Sequence, residues 1–250
     1  MIYLLTVLGA CIGVAAGILG AGPSILTILL LTHIGGLDLG PAIATALVVV
    51  AQMSLVSVIP YARSRSVVWR AAVGFGTASM LGAFLGGRVS GLLPARALLV
   101  IFLGAMIVAS FGMLGRRRTL VLDGAPKPTE QLAVLAVGGL LVGCVTGLVG
   151  LGGGFAVVPL LVVFAGTPVR DAIGTSIFII AMNTVAGLLG HLPHPPVDWR
   201  IAGTLGVAES LGGLCGARIA PRISAEILRR AFAVIMLAGA LVMLVHTLLR

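Results

Sequence analysis

Eight apolar runs, at 2–32, 39–62, 71–87, 97–115, 131–167, 172–190, 201–217 and 231–249, contain no Asp, Glu, Lys or Arg apart from Glu209. A run of roughly 20 such residues is long enough to cross a bilayer as a helix. Together the eight occupy most of the 250 residues and leave no room for a soluble domain. Charged residues make up 9% of the chain, against about 25% in soluble proteins. The fold class expected is therefore an all-α polytopic membrane protein.

A formal net charge of +9 invites a nucleic-acid reading, but no folded basic domain exists to present it. The arginines stand at the ends of apolar runs, where they serve topology and contact lipid headgroups. The partners expected are the lipid bilayer and a small solute, not nucleic acid, and no oligomeric state follows from the sequence. Cys11, Cys144 and Cys215 all lie inside apolar runs. Their odd number and lack of metal-type spacing argue against a disulfide framework or a metal site. No cofactor is expected, and no G-x-x-x-x-G-K-[ST] stretch that would cradle ATP is present.

Shifted by 130 positions, the chain matches itself without a gap. Gly13, Gly17, Gly20 and Gly22 fall on Gly143, Gly147, Gly150 and Gly152. "AIAT" from Ala42 falls on "AIGT" from Ala172, and Trp69-Arg70 falls on Trp199-Arg200. "GAFLGGR" from Gly82 falls on "GGLCGAR" from Gly212. The expected organisation is a first transmembrane repeat at 1–114, a polar cytoplasmic linker at 115–130 and a second repeat at 131–250. Each repeat holds four apolar blocks. The first block has its counterpart in the fifth, so it is read as part of the fold rather than as a cleaved signal.

The charges bear on how the halves are oriented. If every block spans once and the linker is cytoplasmic, nine of the 16 Lys and Arg lie inside. If blocks one and five are instead broken hairpins that enter and leave on one side, the second half inverts and twelve lie inside. The positive-inside bias favours the inverted arrangement. Inverted halves with interrupted helices near the membrane midplane are a recurring transporter plan.

The interruptions are expected at two glycine clusters, "GILGAGPSIL" (Gly17 to Leu26) and "GLVGLGGGFAVVP" (Gly147 to Pro159). Each glycine costs a helix about 1 kcal/mol relative to alanine, so a simple span would not concentrate them. The new helix is expected from about Phe155. Helix starts at these breaks would aim free N–H groups and positive dipole ends at a bound anion. The candidate substrate-binding residues here are Gly22, Ser24, Gly152, Gly153 and Gly154. The Gly-x-x-x-Gly spacings at 13/17, 82/86, 143/147 and 212/216 are read as close helix packing.

The stretch "GLVGLGGGFAVVPLL", followed by "AIGTS", resembles the sulfite exporter TauE/SafE family of membrane transporters, and the resemblance covers essentially the whole chain. It implies export of a small anion, such as sulfite or an organosulfonate, across the bacterial cytoplasmic membrane. The first-half motif differs from the second, with Ala21, Pro23 and Ser24 where the second half has Leu151, Gly153 and Gly154.

Several other polar residues lie inside apolar runs. Thr45, Thr175 and Ser176 stand near the starts of blocks two and six, with Gln52 and Asn183 about two turns further along. Uncharged donors of this kind suit an oxyanion in a desolvated cavity, and all five join the candidate set. Glu209 is the one acid inside a run, and an intramembrane carboxyl is a functional candidate by default. Hydrocarbon surroundings favour its neutral form, which makes proton coupling its expected role. Arg88 and Arg218 match across the halves near block ends, where snorkelling to headgroups is the simpler role.

The leading function is secondary transport of an anion, with an anion channel as the alternative. An intramembrane hydrolase built on Ser24, Ser176 or Ser210 is disfavoured. His33 and His246 lie near run ends, and His191 and His194 fall in a proline-rich loop, away from any serine.

Overall fold

The computed structural model describes residues 2–20, 24–90, 128–149, 154–163, 166–191 and 197–248, together with 100, 103–104, 107 and 110. Block four of the sequence and the linker thus fall almost wholly outside the described residues. The described elements are α-helices and one short 3-10 turn: α1 (Ile2–Leu19), α2 (Ser24–His33), α3 (Leu39–Arg63), α4 (Trp69–Ser90), α5 (Pro128–Val149), α6 (Gly154–Val163), α7 (Val169–His191), α8 (Trp199–Ile219) and α9 (Ala225–Leu248). Every described element is helical.

Helix boundaries in the two halves coincide when shifted by 130. α1 ends at Leu19 and α5 at Val149; α2 and α6 run 24–33 and 154–163; α3 and α7 start at 39 and 169. The reason is local. Gly36 and Gly166 both adopt left-handed φ, 68° and 61°, which glycine reaches at little cost. Each lets the chain close a helix end in the same way, Leu37 N–H donating to Leu31 C=O at 3.1 Å and Thr167 N–H to Leu161 C=O at 3.0 Å. Such bonds satisfy carbonyls that the helix end leaves open. At the start of α8 the Asp198 carboxylate accepts from the N–H groups of Arg200 and Ile201, both at 3.0 Å.

The glycine spacings do pack helices. A Cβ on Gly13 would strike the Glu209 carbonyl, and one on Gly17 the Gly213 carbonyl, so α1 and α8 lie backbone to backbone and run parallel. Gly143 meets the carbonyl of Ser79 and Gly147 that of Ala83, which is the same pair of contacts with the halves exchanged, between α5 and α4. Small residues let backbones approach this closely in membranes, where dispersion replaces the missing hydrophobic drive between helices.

The two central helices cross differently. Gly174, early in α7, lies against Tyr61 at the end of α3, while Gly187, late in α7, lies against Leu47, early in α3. α3 and α7 are therefore antiparallel. Along α3 and α8 the contacts climb together, Gln52 on Gly206 and then Ser57 on Gly213, so that pair is parallel.

Among the described residues, Gly40–Arg63 and Val169–Gly190 are long and apolar enough to cross a membrane, with mean hydropathies of 2.3 and 1.9. Most of each window is covered by the surrounding helices. The outer helices carry exposed apolar side chains instead, among them Val7, Leu81, Leu141, Leu211 and Val234. Such a belt suits a hydrocarbon surround and would be a liability in water.

Candidate functional site

The first break forms because α1 cannot continue through Gly20, whose φ is +79°. A Cβ at Gly20 would stand 2.6 Å from Ser176 Oγ, 3.2 Å from Val158 and 3.3 Å from the Ile173 backbone. The turn is thus pressed against α6 and α7 of the other half, and only glycine fits both the space and the backbone angle.

A helix end leaves its last four carbonyls without helical partners. Tyr61 Oη donates to the Gly17 carbonyl at 2.6 Å. Ser176 Oγ donates to the Ile173 carbonyl at 2.8 Å and reaches the Gly20 carbonyl at 3.5 Å. One side chain from each half therefore bears on the end of α1. The sequence marks Ser176 as a candidate anion ligand, not as a donor to this helix end, and it does not mark Tyr61, although that is one of two tyrosines and ends an apolar run.

Past the break the chain doubles back. Thr27, on α2, donates to Glu209 Oε1 at 2.8 Å. Glu209 also lies against Gly9 and Gly13 of α1. Thr27 therefore stands level with residues well before the break, which requires α2 to return alongside α1. The second half repeats the reversal: Leu160 of α6 lies against Gly138 of α5, on the far side of the interruption.

Glu209 is fully buried, and its Oε2 has no hydrogen-bond partner among the described residues. Arg88 and Arg218, the matched arginines near the block ends, are both exposed. Arg88 rests over the Phe84 ring at 5.7 Å. Nothing local marks Thr27, because a threonine in an apolar run usually bonds its own helix.

On the opposite flank Asn183 Nδ2 donates to Ser79 Oγ at 2.7 Å, and Asn183 Oδ1 is buried without a partner among the described residues. Ser79 is the position 130 before Glu209, so one flank carries an acid where the other carries a hydroxyl. Ser54 Oγ is a further buried oxygen with no partner among the described residues. Gln52 presents its carboxamide to Gly206 at the crossing of α3 and α8.

Thr45 and Thr175 do a matched job. Thr175 Oγ1 accepts from Val68 N–H at 2.9 Å and donates to the Asp171 carbonyl at 2.6 Å. Thr45 Oγ1 accepts from Asp198 N–H at 3.1 Å. Each ties the segment entering a helix of the other half. Gly22, Gly152 and Gly153 lie outside the described residues. Ser24 and Gly154 are the first residues of α2 and α6.

A hollow of about 330 Å³ opens between α4 and α7 beside Thr77, Met80, Leu81, Phe84, Ala186 and Leu189. The Thr77 hydroxyl is spent on the Val73 carbonyl at 2.7 Å. These apolar walls offer an anion nothing.

A chain of interrupted helices, glycine seams and an apolar outer belt has counterparts among known proteins. The family model described as sulfite exporter TauE/SafE matches residues 5–243. The chain belongs to that family. A relative in Xylella fastidiosa (strain 9a5c), named "Probable membrane transporter protein", is 35% identical over 93% of this chain and 91% of its own length. "Probable membrane transporter protein YunE" of Bacillus subtilis (strain 168) is 28% identical over 86% of this chain and 87% of its own. "Probable membrane transporter protein MJ0441" of Methanocaldococcus jannaschii is 30% identical over 45% of this chain and 44% of its own. No solved structure matches the chain. This family member is a membrane transporter and not an enzyme.

Proposed function

We propose that the chain is a secondary transporter of the bacterial cytoplasmic membrane that exports a small anion, such as sulfite or an organosulfonate. Its two repeats, 1–114 and 131–250, sit inverted in the bilayer around the crossing of α3 and α7, and 115–130 joins them in the cytoplasm. The antiparallel crossing supports this reading. Equivalent helices of parallel halves would run the same way, whereas α3 and α7 run oppositely.

One observation carries the functional reading. The break at Gly20, with its left-handed turn, is enclosed by Ser176, Val158 and Ile173 of the other half. Backbone freed at membrane depth survives only where protein or a cavity covers it. The amides that open α2 and α6 supply donors without a buried cation. Gly22, Ser24, Gly152, Gly153, Gly154 and Ser176 make up the anion site in this proposal, with Gln52 and Asn183 on the central crossing beside it. Thr45 and Thr175 hold the helix junctions that position it. Glu209 carries the coupling proton.

Purified protein in liposomes tests the proposal. Sulfite, thiosulfate, sulfoacetate, sulfate and carboxylates are offered in turn, each with and without a pH gradient. Saturable flux at carrier speed, selective for one anion class, supports it. Gradient-independent flux that does not saturate points to a channel instead.

A further inference from the structure

Glu209 and Thr27 join α8 to α2, two helices from different halves of the chain. α2 rests against α1 and α3 of its own half, and the bond from Thr27 Oγ1 reaches across to α8 of the other. Both side chains are fully buried.

Among the described residues no cation faces the carboxyl. α1 contains no Asp, Glu, Lys, Arg or His, and its Tyr3 and Cys11 are exposed. α2 has only His33, at its last residue, with Nδ1 3.0 Å from Thr32 Oγ1 and 3.1 Å from the Leu29 carbonyl. α3 has Arg63 at its exposed end and Tyr61, whose hydroxyl serves Gly17. On α8 itself Arg200 and Arg218 stand at opposite ends, both exposed, and Cys215 is exposed as well. Of the segments beyond α8, Arg222 is exposed and Glu226 pairs with Arg229 and Arg230. A charged carboxylate here would be a buried ion with no countercharge among the described residues.

The other half lacks this arrangement. The counterparts of Glu209 and Thr27, 130 residues away, are Ser79 and Val157. Val157 is buried and offers no hydroxyl, and Ser79 accepts from Asn183.

We infer that burial of Glu209 under α2 links the protonation of this carboxyl to the docking of α2, with Thr27 the positioning residue that seats α2 on it, and that this control acts on the first hairpin only. The inference rests on the reading of Glu209 as the coupling group. With α2 docked, Thr27 occupies Oε1 and the proton sits on Oε2, the oxygen with no fixed partner. When the Oε2–H bond breaks, the proton passes to water and the charge stays on the carboxylate. The Thr27 hydroxyl still donates to the carboxylate, but one hydroxyl does not replace the hydration of a buried charge, so α2 lifts to admit water. α6 stays in place.

Hydrogen–deuterium exchange of the full chain in nanodiscs, corrected for intrinsic rates, tests this without reference to any anion. Protection of the α2 amides falls by about tenfold or more between ~pH 5.5 and ~pH 8.5, while α6 changes by less than about twofold. Glu209→Gln flattens the α2 response, whereas Thr27→Val, which loses a donor that favours the carboxylate, lowers α2 protection across the range and keeps the response, and Thr27→Ser restores wild-type protection. Wild-type α2 protection that ignores pH, or an equal response in α6, overturns the inference. A wild-type protein with the α2 response intact but no anion flux would defeat the transport reading and leave the inference standing.

Discussion

Thr175 Oγ1 accepts the backbone N–H of Val68 at 2.9 Å, and the same bond recurs 130 residues away in each partner, between Thr45 and Asp198 at 3.1 Å. Val68 and Asp198 are the residues just before α4 and α8. Each bond therefore fixes where a helix of one half begins against a helix of the other. Removing the hydroxyl strands a part-buried N–H, which costs about 1–3 kcal/mol. Thr175→Val and Thr45→Val should each lower stability by that amount, and Thr175→Ser should recover most of it. Thermal unfolding in detergent reads the effect. A Val variant as stable as wild type would remove these bonds from the account.

The glycine seams give a sharper contrast. At Gly13 and Gly143 an added methyl meets the carbonyls of Glu209 and Ser79, neither of which can yield without moving a helix. Overpacking of this kind costs about 1–3 kcal/mol. Gly203, on α8, has open space within 4 Å of the same methyl, and alanine there should gain up to about 1 kcal/mol of helix propensity. Gly13→Ala and Gly143→Ala should thus unfold earlier than wild type and Gly203→Ala should not. Equal effects at all three would mean that the seams are not tightly packed.

Much of this was open to reading from residues alone. The helix boundaries follow the shift of 130 because Gly36 and Gly166 dictate identical turns. The close packing was visible in the four-residue glycine spacing. The reversal after each break is an expectation from charge counting. What escaped were partners set by tertiary contact. Nothing in "PSILTILLL" marks Thr27 as the residue that meets Glu209, since the two are far apart in sequence and joined only when α2 folds back. Tyr61 likewise looks like an interfacial anchor until Gly17 is seen to need a donor. The N–H groups that Thr45 and Thr175 accept from are hidden in the same way, since their own helices do not reveal them.

The break itself can be probed at Gly20 and Tyr61. Alanine at a left-handed position costs roughly 1–2 kcal/mol, and here the methyl also presses on Ser176. Tyr61→Phe keeps the ring but leaves the Gly17 carbonyl short of its donor. Both changes should shift the amides that open α2. Each should raise the KM for the transported anion about tenfold or more, equivalent to about 1.4 kcal/mol, with a smaller loss of protein yield. Flux titrations in liposomes separate the two effects. Unaltered KM in both variants would place the anion elsewhere.

Glu209→Gln bears most directly on coupling. Glutamine keeps the size of the side chain and an acceptor for Thr27, so the seam between α1 and α8 should assemble. It cannot carry a titrating proton. Anion-for-anion exchange, which needs no net proton movement, should therefore persist near the wild-type rate. Accumulation driven by an imposed pH gradient should fall to the level of leak. Wild-type net flux should change with pH between ~5.5 and ~8.5 as the carboxyl exchanges its proton, and the Gln profile should be flat across that range. Glu209→Asp retains an acid but retracts it from Thr27 by one methylene, so it should keep a pH dependence with reduced coupling. A Gln variant whose pH profile matches wild type would take Glu209 out of the coupling role and leave it as a buried acceptor that fastens α2 to α8.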